Sequence, residues 1–572
     1  MSKITKIDFQ NREIAEFTGG KNSKDFWHAI GKCRYKKQIL DPIPIESWAD
    51  YLQRLFMPQS ETIATSENPV DPSSSERKHF GEGSLLSQAN KILMKNISKA
   101  ELNQSLVKLK GGKAPGPDGI PNQYLKTANN SLKLMLLSLF NEILKTQKVP
   151  LNWSEGKIQM IHKNGSPNSP ENYCPITLLN SIPKLFSSIM ANRLKFWQER
   201  VHMLPDEQAG FRPYRSCLDH IFTLNAIAQT QVYKNNNNAV FIDLAKAFDS
   251  INQNLLWKQL YKQGINSAFI DLLAKIYHSA SISIIKNTKT KPVSVLKGVL
   301  QGDPLSPLLF NSYIYDIMDA LNIPSCYPIK LHLTELNGLL FADDLVILAI
   351  SKIQMQRKLE ILNKYFSSLG LKINLSKTKC LIFRKGGRIN KKDKLYIGNS
   401  RIENVKTYNY LGVPFSATRF LCLAQDSRYK KARVALNAIW PLLSKLEIQS
   451  MKTRSYLFNS LVKTIYRYAS PVWSVFYKNS VEKLQNIFAR RILWTGNLTP
   501  GYILRRELDL KPLEIDMWIS CLKFWLHILN SHHNKLLQNA YLSLMVQPPT
   551  IKYNWCHMLR ENWILGVIHF FG

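Results

Sequence analysis

Residues 338–350 read GLLFADDLVILAI, an apolar stretch interrupted by two adjacent carboxylates, and this feature most restricts how the chain can fold. Short apolar runs on both sides of a two-residue break are typical of a tight β-hairpin. Asp343 and Asp344 repel each other at such a turn unless a positive charge lies between them. The pattern therefore predicts a buried hairpin whose turn presents two acids to a cation.

A third carboxylate, Asp243, ends another apolar strand, AVFID at 239–243, which follows an Asn-rich turn at 235–238. An unpaired charge is costly to bury, so Asp243 is expected at the exposed tip of that strand or on a cation. If the two strands lie side by side in one sheet, all three acids meet at one edge. Carboxylate oxygens suit Mg²⁺, and two such ions can activate a 3′ hydroxyl and stabilise departing pyrophosphate. The three acids thus indicate polymerase chemistry with two Mg²⁺ ions, or with Mn²⁺ in their place.

The charge of the chain points to a polyanionic partner. Lys and Arg outnumber Asp and Glu by 76 to 41, and the net charge of +35 favours nucleic acid. No apolar run is long enough to span a bilayer, and the opening residues do not resemble a secretory signal. We therefore expect no membrane partner and an intracellular location, in the nucleus and cytoplasm. The basic run at 384–394 is interpreted either as an import signal or as a solvated loop or nucleic-acid contact.

The eight cysteines are scattered with no close pair, which predicts neither a zinc site nor a disulfide framework. A chain of 572 residues exceeds what one hydrophobic core usually organises, so three or four subdomains are expected. Alternating strands and helices in the centre, and mainly helices beyond residue 400, predict a mixed α/β (α+β) fold. The predicted elements are a polar linker near 58–83, a helix from about Ser98 ended by residues 111–121, a buried helix at 131–146, a strand at 157–162, helices at 245–264 and 353–368, and an amphipathic helix at 481–494.

Seven segments, in order, resemble the motifs of the reverse transcriptases of non-LTR (LINE-like) retrotransposons. The resemblance runs from about residue 100 to 415 and continues more weakly to about 515. It implies a right-hand polymerase fold with fingers, palm and a helical thumb, and an RNA-directed DNA polymerase that takes an RNA template, a DNA primer or target, and dNTPs. The segments are KAPGPDGIP at 113–121, QAGFRPYRSCLDH at 208–220, FIDLAKAFDSI at 241–251, GVLQGDPLSPLLFN at 298–311, FADDLVIL at 341–348, LGLKINLSKTK at 369–379 and YLGV at 410–413.

The resemblance also implies a role for particular residues. Asp243, Asp343 and Asp344 would be the catalytic metal ligands together with the Leu244 carbonyl, and Lys377 would protonate pyrophosphate. In the nucleotide site, Phe248 would exclude a ribose 2′ hydroxyl, and Gln301 and Gly302 would line the nascent base pair. The residues implied to contact nucleic acid are Lys113, Arg212, Tyr410, Leu411, Gly412, Arg490 and Arg491. The two arginines of the 481–494 helix would contact backbone phosphates, or else form a solvated face of a packing helix.

Two positions depart from the family pattern. In NYCPITLLN at 172–180 the family usually has Arg where this chain has Cys174, and a neutral thiol cannot replace a guanidinium on a triphosphate. Lys163 and Lys157 are the basic residues that remain for that role. Tyr214 replaces the Gly that the family prefers. These departures keep open a relic that only binds RNA, and a group II intron-type reverse transcriptase is the nearest enzyme alternative; a viral RNA polymerase is disfavoured by Phe248.

The resemblance divides the chain into five parts and predicts that it lacks the endonuclease that relatives of this type carry upstream. Residues 21–57 resemble the segment that joins such an endonuclease to the polymerase. The predicted parts are an N-terminal joining segment at 1–99, fingers at 100–235, palm at 236–395, primer grip and helical thumb at 396–515, and a C-terminal tail at 516–572.

Overall fold

The structure is a computed structural model, and it describes residues 43–57, 85–163, 165–232, 237–284, 290–324, 326–387, 394–445, 450–476, 482–548 and 554–561. The predicted polar linker and the residues before Ile43 lie outside these ranges. The strands are β1 Glu155–His162, β2 Tyr173–Leu179, β3 Asn237–Ile242, β4 Ser281–Ile284, β5 Val293–Ser294, β6 Ile329–Leu331, β7 Thr334–Leu336, β8 Gly338–Phe341, β9 Asp344–Ala349, β10 Lys379–Phe383, β11 Leu395–Ile397, β12 Ser400–Asn404, β13 Thr407–Tyr410 and β14 Val413–Ser416.

Helices surround the strands, which confirms the predicted mixed α/β class. They are α1 Ile45–Phe56, α2 Leu85–Leu93, α3 Lys99–Lys108, α4 Asn122–Lys126, α5 Asn130–Thr146, α6 Ser181–Arg200, α7 Cys217–Val232, α8 Gln253–Lys262, α9 Ser267–His278, α10 Ser306–Tyr313, α11 Ile317–Ala320, α12 Lys352–Ser368, α13 Cys422–Lys445, α14 Met451–Phe458, α15 Thr464–Arg467, α16 Ser470–Trp473, α17 Glu482–Leu493, α18 Gly501–Glu507, α19 Leu513–Asn530 and α20 Lys535–Met545. Within the described ranges, none of these helices combines the length and apolar character needed to cross a bilayer.

A six-stranded sheet of order β11-β12-β10-β3-β9-β8 forms the centre of the molecule. Successive residues of a strand point to opposite faces, and β3 is apolar on both. Val240 and Ile242 enter a core shared with the N-terminal half of the chain, whereas Ala239 and Phe241 enter a second core shared with the C-terminal helices. Both faces of the sheet are therefore covered, and only its edges and strand ends are available for a site.

A second sheet, of order β2-β1-β4-β5, lies on the N-terminal side. β1 pairs with β2 in antiparallel fashion, with Ile161 opposite Cys174, and the loop that joins these strands begins at Lys163. Helix α1 packs on this sheet: the Trp48 ring meets the Tyr173 ring edge-on at 5.0 Å between centroids. Part of the predicted joining segment is thus attached to the region predicted as fingers.

Two predicted helices differ from the structure. The helix expected at 245–264 begins only at Gln253, because Leu244 forms a β-bridge with Ile373 and Ala245 donates to the Lys372 carbonyl before a short 3-10 turn at Phe248–Ser250. The helix expected to be buried at 131–146 forms as α5 but is amphipathic, with Leu134 and Met135 more than half exposed. The hairpin at 338–350 and the helix at 353–368 are confirmed.

The C-terminal helices build the second core. Helix α20 packs along α7, and α19 packs on α16, so residues 513–545, which include most of the predicted tail, are folded onto the helical region. The division into fingers, palm, thumb and tail stays a prediction. All seven cysteines among the described residues are free thiols.

Candidate active site

The three predicted catalytic acids lie together where β3 ends and the β8–β9 hairpin turns. This end of the central sheet, with Asp243, Asp343 and Asp344, is called the catalytic edge. In the β8–β9 hairpin Phe341 pairs with Asp344, so Ala342 and Asp343 form the two-residue turn. β3 pairs with β9 up to Ile242 opposite Leu345, and one further step of this register puts Asp243 opposite Asp344. The prediction that the two strands lie side by side is therefore confirmed.

The segment around Lys377 runs along the other side of Asp243. The Asp243 amide donates to the Thr378 hydroxyl, and the Asp243 carbonyl accepts from the Asn374 amide at 2.7 Å. This arrangement leaves the Lys377 Nζ 3.6 Å from Asp243 Oδ2, with the lysine side chain largely exposed. A proton donor predicted from sequence is thus held beside the acids.

Burial and neighbouring negative charge raise the pKa of both Asp343 and Asp344. Burial raises the pKa of Asp343, and the negative charge of Asp243 raises it further, against the opposing charges of Lys163 and Lys377. Partial loss of hydration, together with the charges of Asp343 and Asp243, raises the pKa of Asp344 to about 6. Two lysines offset the negative charge only in part, so the edge favours cations.

The donor set fits a divalent cation in chemistry. Among the residues that the structure describes, no three His, Cys, Asp or Glu side chains converge closely enough to hold a metal ion as they stand. Asp243, Asp343 and Asp344 nevertheless share one edge, and carboxylate oxygens are the ligands that Mg²⁺ prefers. Metal ligation would therefore require the carboxylates of these three residues to come closer together.

Gln208 and Gly210 hold the turn that carries Asp343. Gln208 Oε1 accepts from the Gly210 amide at 2.8 Å and from the Ala342 amide at 3.0 Å. Ala342 has a φ of +59°, a backbone conformation that costs a non-glycine residue free energy unless its surroundings hold it. Neither Gln208 nor Gly210 was among the predicted site residues. The only signal in the sequence was their position in the QAGFRP motif.

Gln301 joins three parts of the predicted nucleotide site. Its side-chain nitrogen donates to Asp249 Oδ1 at 2.9 Å, its side-chain oxygen accepts from the Cys174 thiol, and its carbonyl accepts from the Thr177 amide at 2.7 Å. Gly302 follows with a φ of +134°, and a Cβ there would lie 2.2 Å from the Thr177 carbonyl oxygen. The loop is thus fixed against β2, and only glycine fits at 302.

Phe248 and Lys163 flank this loop. The Phe248 ring stacks on Phe310 with centroids 4.8 Å apart, which fixes its position. Lys163 is exposed, and its positive charge opposes the raised pKa values of both Cys174 and Asp343. Lys163, one of the two lysines predicted to remain for a triphosphate, is therefore close enough to act on both Cys174, the departing position, and Asp343.

The matching family model is described as reverse transcriptase (RNA-dependent DNA polymerase), and it covers residues 161–415. This range includes all three acids, Lys377 and the 410–413 segment. Residues 161–415 therefore match a reverse transcriptase domain. The predicted right-hand fold class is confirmed with it, and the family normally uses divalent metal ions.

Relatives of the domain come from non-LTR retrotransposons. The chain is 27% identical over 438 residues to the probable RNA-directed DNA polymerase from transposon BS of Drosophila melanogaster, covering 74% of this chain and 47% of that protein. It is 26% identical over 424 residues to the Pol polyprotein of element R2DM from the same organism, covering 71% and 37%. Identity to the polymerase of the Drosophila melanogaster mobile element jockey is 24% over 472 residues, covering 79% and 50%. The chain therefore spans about half the length, or less, of these curated relatives.

Among solved structures, apo telomerase from Candida Tropicalis overlaps 72% of this chain and 74% of its own, at 12% identity and a TM-score of 0.36. Such a score describes a loose overlap of two chains.

Two predicted nucleic-acid contacts of the reverse transcriptase domain are interior residues, which corrects the prediction. Arg212 is 8% exposed, and its guanidinium binds both oxygens of Glu199 at 2.8 and 2.9 Å. The Tyr410 side chain is 2% exposed and faces His220, with 3.4 Å between its hydroxyl and Nδ1. Sequence motifs identify such residues but do not say which way a side chain points.

The other residues of this part of the prediction, Leu411, Gly412 and Lys113, remain available for contact with nucleic acid. Leu411 and Gly412 form the β13–β14 turn, where the Tyr468 hydroxyl donates to the Leu411 carbonyl at 2.8 Å and the Arg428 guanidinium donates to the Gly412 carbonyl. Lys113 is exposed on the loop after α3. The turn is thus held by two side chains of the helical region.

Arg490 and Arg491 differ from each other. Arg490 is half-buried and donates to the Thr499 carbonyl at 3.0 Å, so it is in part structural. Arg491 is exposed, with its guanidinium 4.4 Å from the centre of the Trp440 ring. Tyr214, the second departure, is exposed with a φ of +58°, the conformation that glycine adopts most easily.

We expect Asp249 to make the stability of the domain depend on pH. Its side chain is 4% exposed, and burial raises its pKa from 3.8 to about 6. A carboxyl whose folded pKa is raised contributes stability that is present below the unfolded value and lost as the pH rises through about 6. Asp249→Asn keeps an acceptor for Gln301, so we expect its Tm to exceed the parent's by about 2–4 °C at pH 8, with the difference vanishing near pH 4. Thermal unfolding across this range measures it, and an equal difference at both pH values would contradict the raised pKa.

Proposed function

We propose that the chain is an RNA-directed DNA polymerase of a non-LTR retrotransposon, which copies RNA into DNA by nucleotidyl transfer. One observation carries the proposal: Asp243, Asp343 and Asp344 lie at one edge of the sheet inside the matched domain. The names of the curated relatives support the same activity. The proposed partners are an RNA template, a DNA primer or target, and dNTPs; a location in the nucleus and cytoplasm is proposed with them.

The proposed metal site uses the three acids and the Leu244 carbonyl. Two Mg²⁺ ions bound there would activate the primer 3′ hydroxyl and stabilise the charge that develops on pyrophosphate. The chain's own contribution is to fix the three carboxylates on paired strands and to hold Ala342 by its amide. Lys377, which lies beside Asp243 and is open to solvent, would give a proton to the leaving group.

The remaining residues select and seat the nucleotide. Phe248, held against Phe310, supplies a rigid wall beside the expected sugar, which favours a dNTP over an rNTP. Gln301 is fixed by Asp249 and Thr177, so its loop provides a stationary floor for the nascent base pair. Lys163 supplies positive charge for the triphosphate.

A second candidate, a relic that binds RNA without turnover, rests on Cys174. The thiol is half-buried, and burial raises its pKa, so it stays neutral near pH 7 and offers no charge to a phosphate. It also donates to Gln301 at 2.9 Å, so it occupies the place from which an arginine would reach the triphosphate. In this candidate the acids remain but nucleotide affinity is lost.

Primer extension separates the two candidates. We expect the purified chain to extend oligo(dT) on poly(rA) with dTTP in Mg²⁺, to stop when EDTA is added, and to use rUTP poorly. The matched variant is Cys174→Arg. An inactive parent that gains extension as Cys174→Arg would favour a decayed enzyme, whereas RNA binding without extension in both proteins would overturn the polymerase proposal.

A further inference from the structure

A cleft of about 860 Å³ opens between α13, α14 and α17, away from the catalytic acids, none of which lines it. Its walls carry Trp440, Arg454, Arg490, Arg491, Trp494 and Asn497. The volume lies in the range of about 300–1,000 Å³ that small-molecule-sized ligands occupy. The cleft is therefore large enough for a nucleotide.

An indole stands open at the rim of the cleft. Trp494 is 91% exposed, although tryptophan is usually among the more buried residues. It follows the last residue of α17 directly, with a φ of +54°, a conformation that is unfavourable for a bulky residue. A large apolar ring that stands open to solvent, on a residue with an unfavourable backbone conformation, marks a contact surface.

A stacked cation lies on the cleft wall. The Arg491 guanidinium lies 4.4 Å from the Trp440 ring centre, and the Trp440 ring stacks in turn on Phe488. A guanidinium held over an aromatic ring can still pair with a phosphate and stack on a base. Arg491 is exposed, so both are accessible to a ligand.

The charge of the cleft selects the kind of ligand. Its described lining residues include three arginines and no acid, and the whole chain carries +35. Positive charge interleaved with exposed aromatic rings is the pattern that binds single strands, because unpaired bases stack while phosphates pair with arginine. A duplex hides its bases and cannot use the Trp494 face.

We propose that this cleft binds unpaired nucleotides of single-stranded nucleic acid through base stacking on Trp494 and phosphate contact with Arg491. The site is independent of the catalytic edge, so binding is expected to persist in EDTA. The alternative is that a protein docks on the apolar part of the same surface.

Fluorescence anisotropy of labelled oligonucleotides with the full chain, in EDTA, tests the proposal. Trp494→Ala should weaken binding of single-stranded oligo(U) about tenfold, and leave an abasic strand and a duplex of equal length unaffected. Arg491→Gln should weaken the single strand and the abasic strand alike. Tyr327→Ala, which truncates another exposed aromatic side chain (63% exposed) outside the cleft, is the control.

Each outcome of these binding measurements supports or overturns base stacking on Trp494. Loss on oligo(U) and oligo(dU) together supports base stacking, and loss on RNA alone supports stacking with a ribose contact. Unchanged affinity of Trp494→Ala for the single strand would overturn the proposal, as would equal loss on the abasic strand. Unchanged RNA affinity with a lower oligomeric mass for Trp494→Ala would assign the surface to protein docking instead. None of these readings depends on whether the chain extends a primer.

Discussion

Asp343→Asn is expected to lower the rate of primer extension at least about a hundredfold, because removing one charged group that acts on the transition state typically costs that much. Asn has the same shape, so the two-residue turn between β8 and β9 keeps its geometry. Steady-state kinetics with dTTP in Mg²⁺ measure the effect, which should fall on kcat more than on KM.

The same substitution, Asp343→Asn, is expected not to lower the stability of the protein. Burial and the charge of Asp243 raise the pKa of Asp343, so its ionised form is disfavoured in the fold, and the neutral amide should leave Tm unchanged or slightly higher. RNA affinity in EDTA should be unchanged. Asp426→Asn, which changes an exposed acid on α13, is the control for charge alone and should retain extension. If Asp343→Asn extends the primer at the parent's rate, Asp343 does not act in the active site.

The sequence predicted those parts of the site that depend on local pattern. The hairpin at 338–350 and the strand before Asp243 were predictable because short apolar runs bounded by turn residues are typical of buried strands. Their pairing followed from the need to place three acids where a cation can reach them. Lys377 beside Asp243 was implied by the family motif, and the structure brings the two together.

Contacts between distant segments were not predictable in this way. The Gln208 oxygen meets the Ala342 amide across 134 positions of chain, and nothing local to either residue encodes that contact. Arg212 was implied to contact nucleic acid because it lies in the QAGFRPYRSCLDH motif, but its guanidinium binds Glu199 on α6 instead. The helix expected from Ala245 begins late because Leu244 and Ala245 are held by Lys372 and Ile373, residues that a local pattern does not see.

Gly210→Ala is expected to lower primer extension by about a hundredfold, because a displacement of about 1 Å at a reacting centre can cost that much. A Cβ at 210 would lie 2.3 Å from the Ala342 amide nitrogen, so either the catalytic turn or the 208–210 segment must move. The segment cannot retreat easily, since Asn311 donates to the Gly210 carbonyl at 2.8 Å and Ala209 donates to the Leu340 carbonyl. The turn that carries Asp343 is therefore the part that shifts.

The measurement compares kcat, Tm and RNA affinity of Gly210→Ala with those of Gly386→Ala, where a Cβ meets nothing within 4 Å. If Gly210→Ala fails to fold, Gln208→Leu keeps the question open to test, because it removes the acceptor for the Ala342 amide without pushing on the turn. Loss of such a supporting hydrogen bond should lower kcat by about 10–100-fold. Since the Gln208 side chain is buried and acts through the Ala342 amide, its effect should appear in kcat while the KM for dTTP stays near the parent's value. Parental kcat in folded Gly210→Ala and Gln208→Leu alike would show that the turn does not need this support.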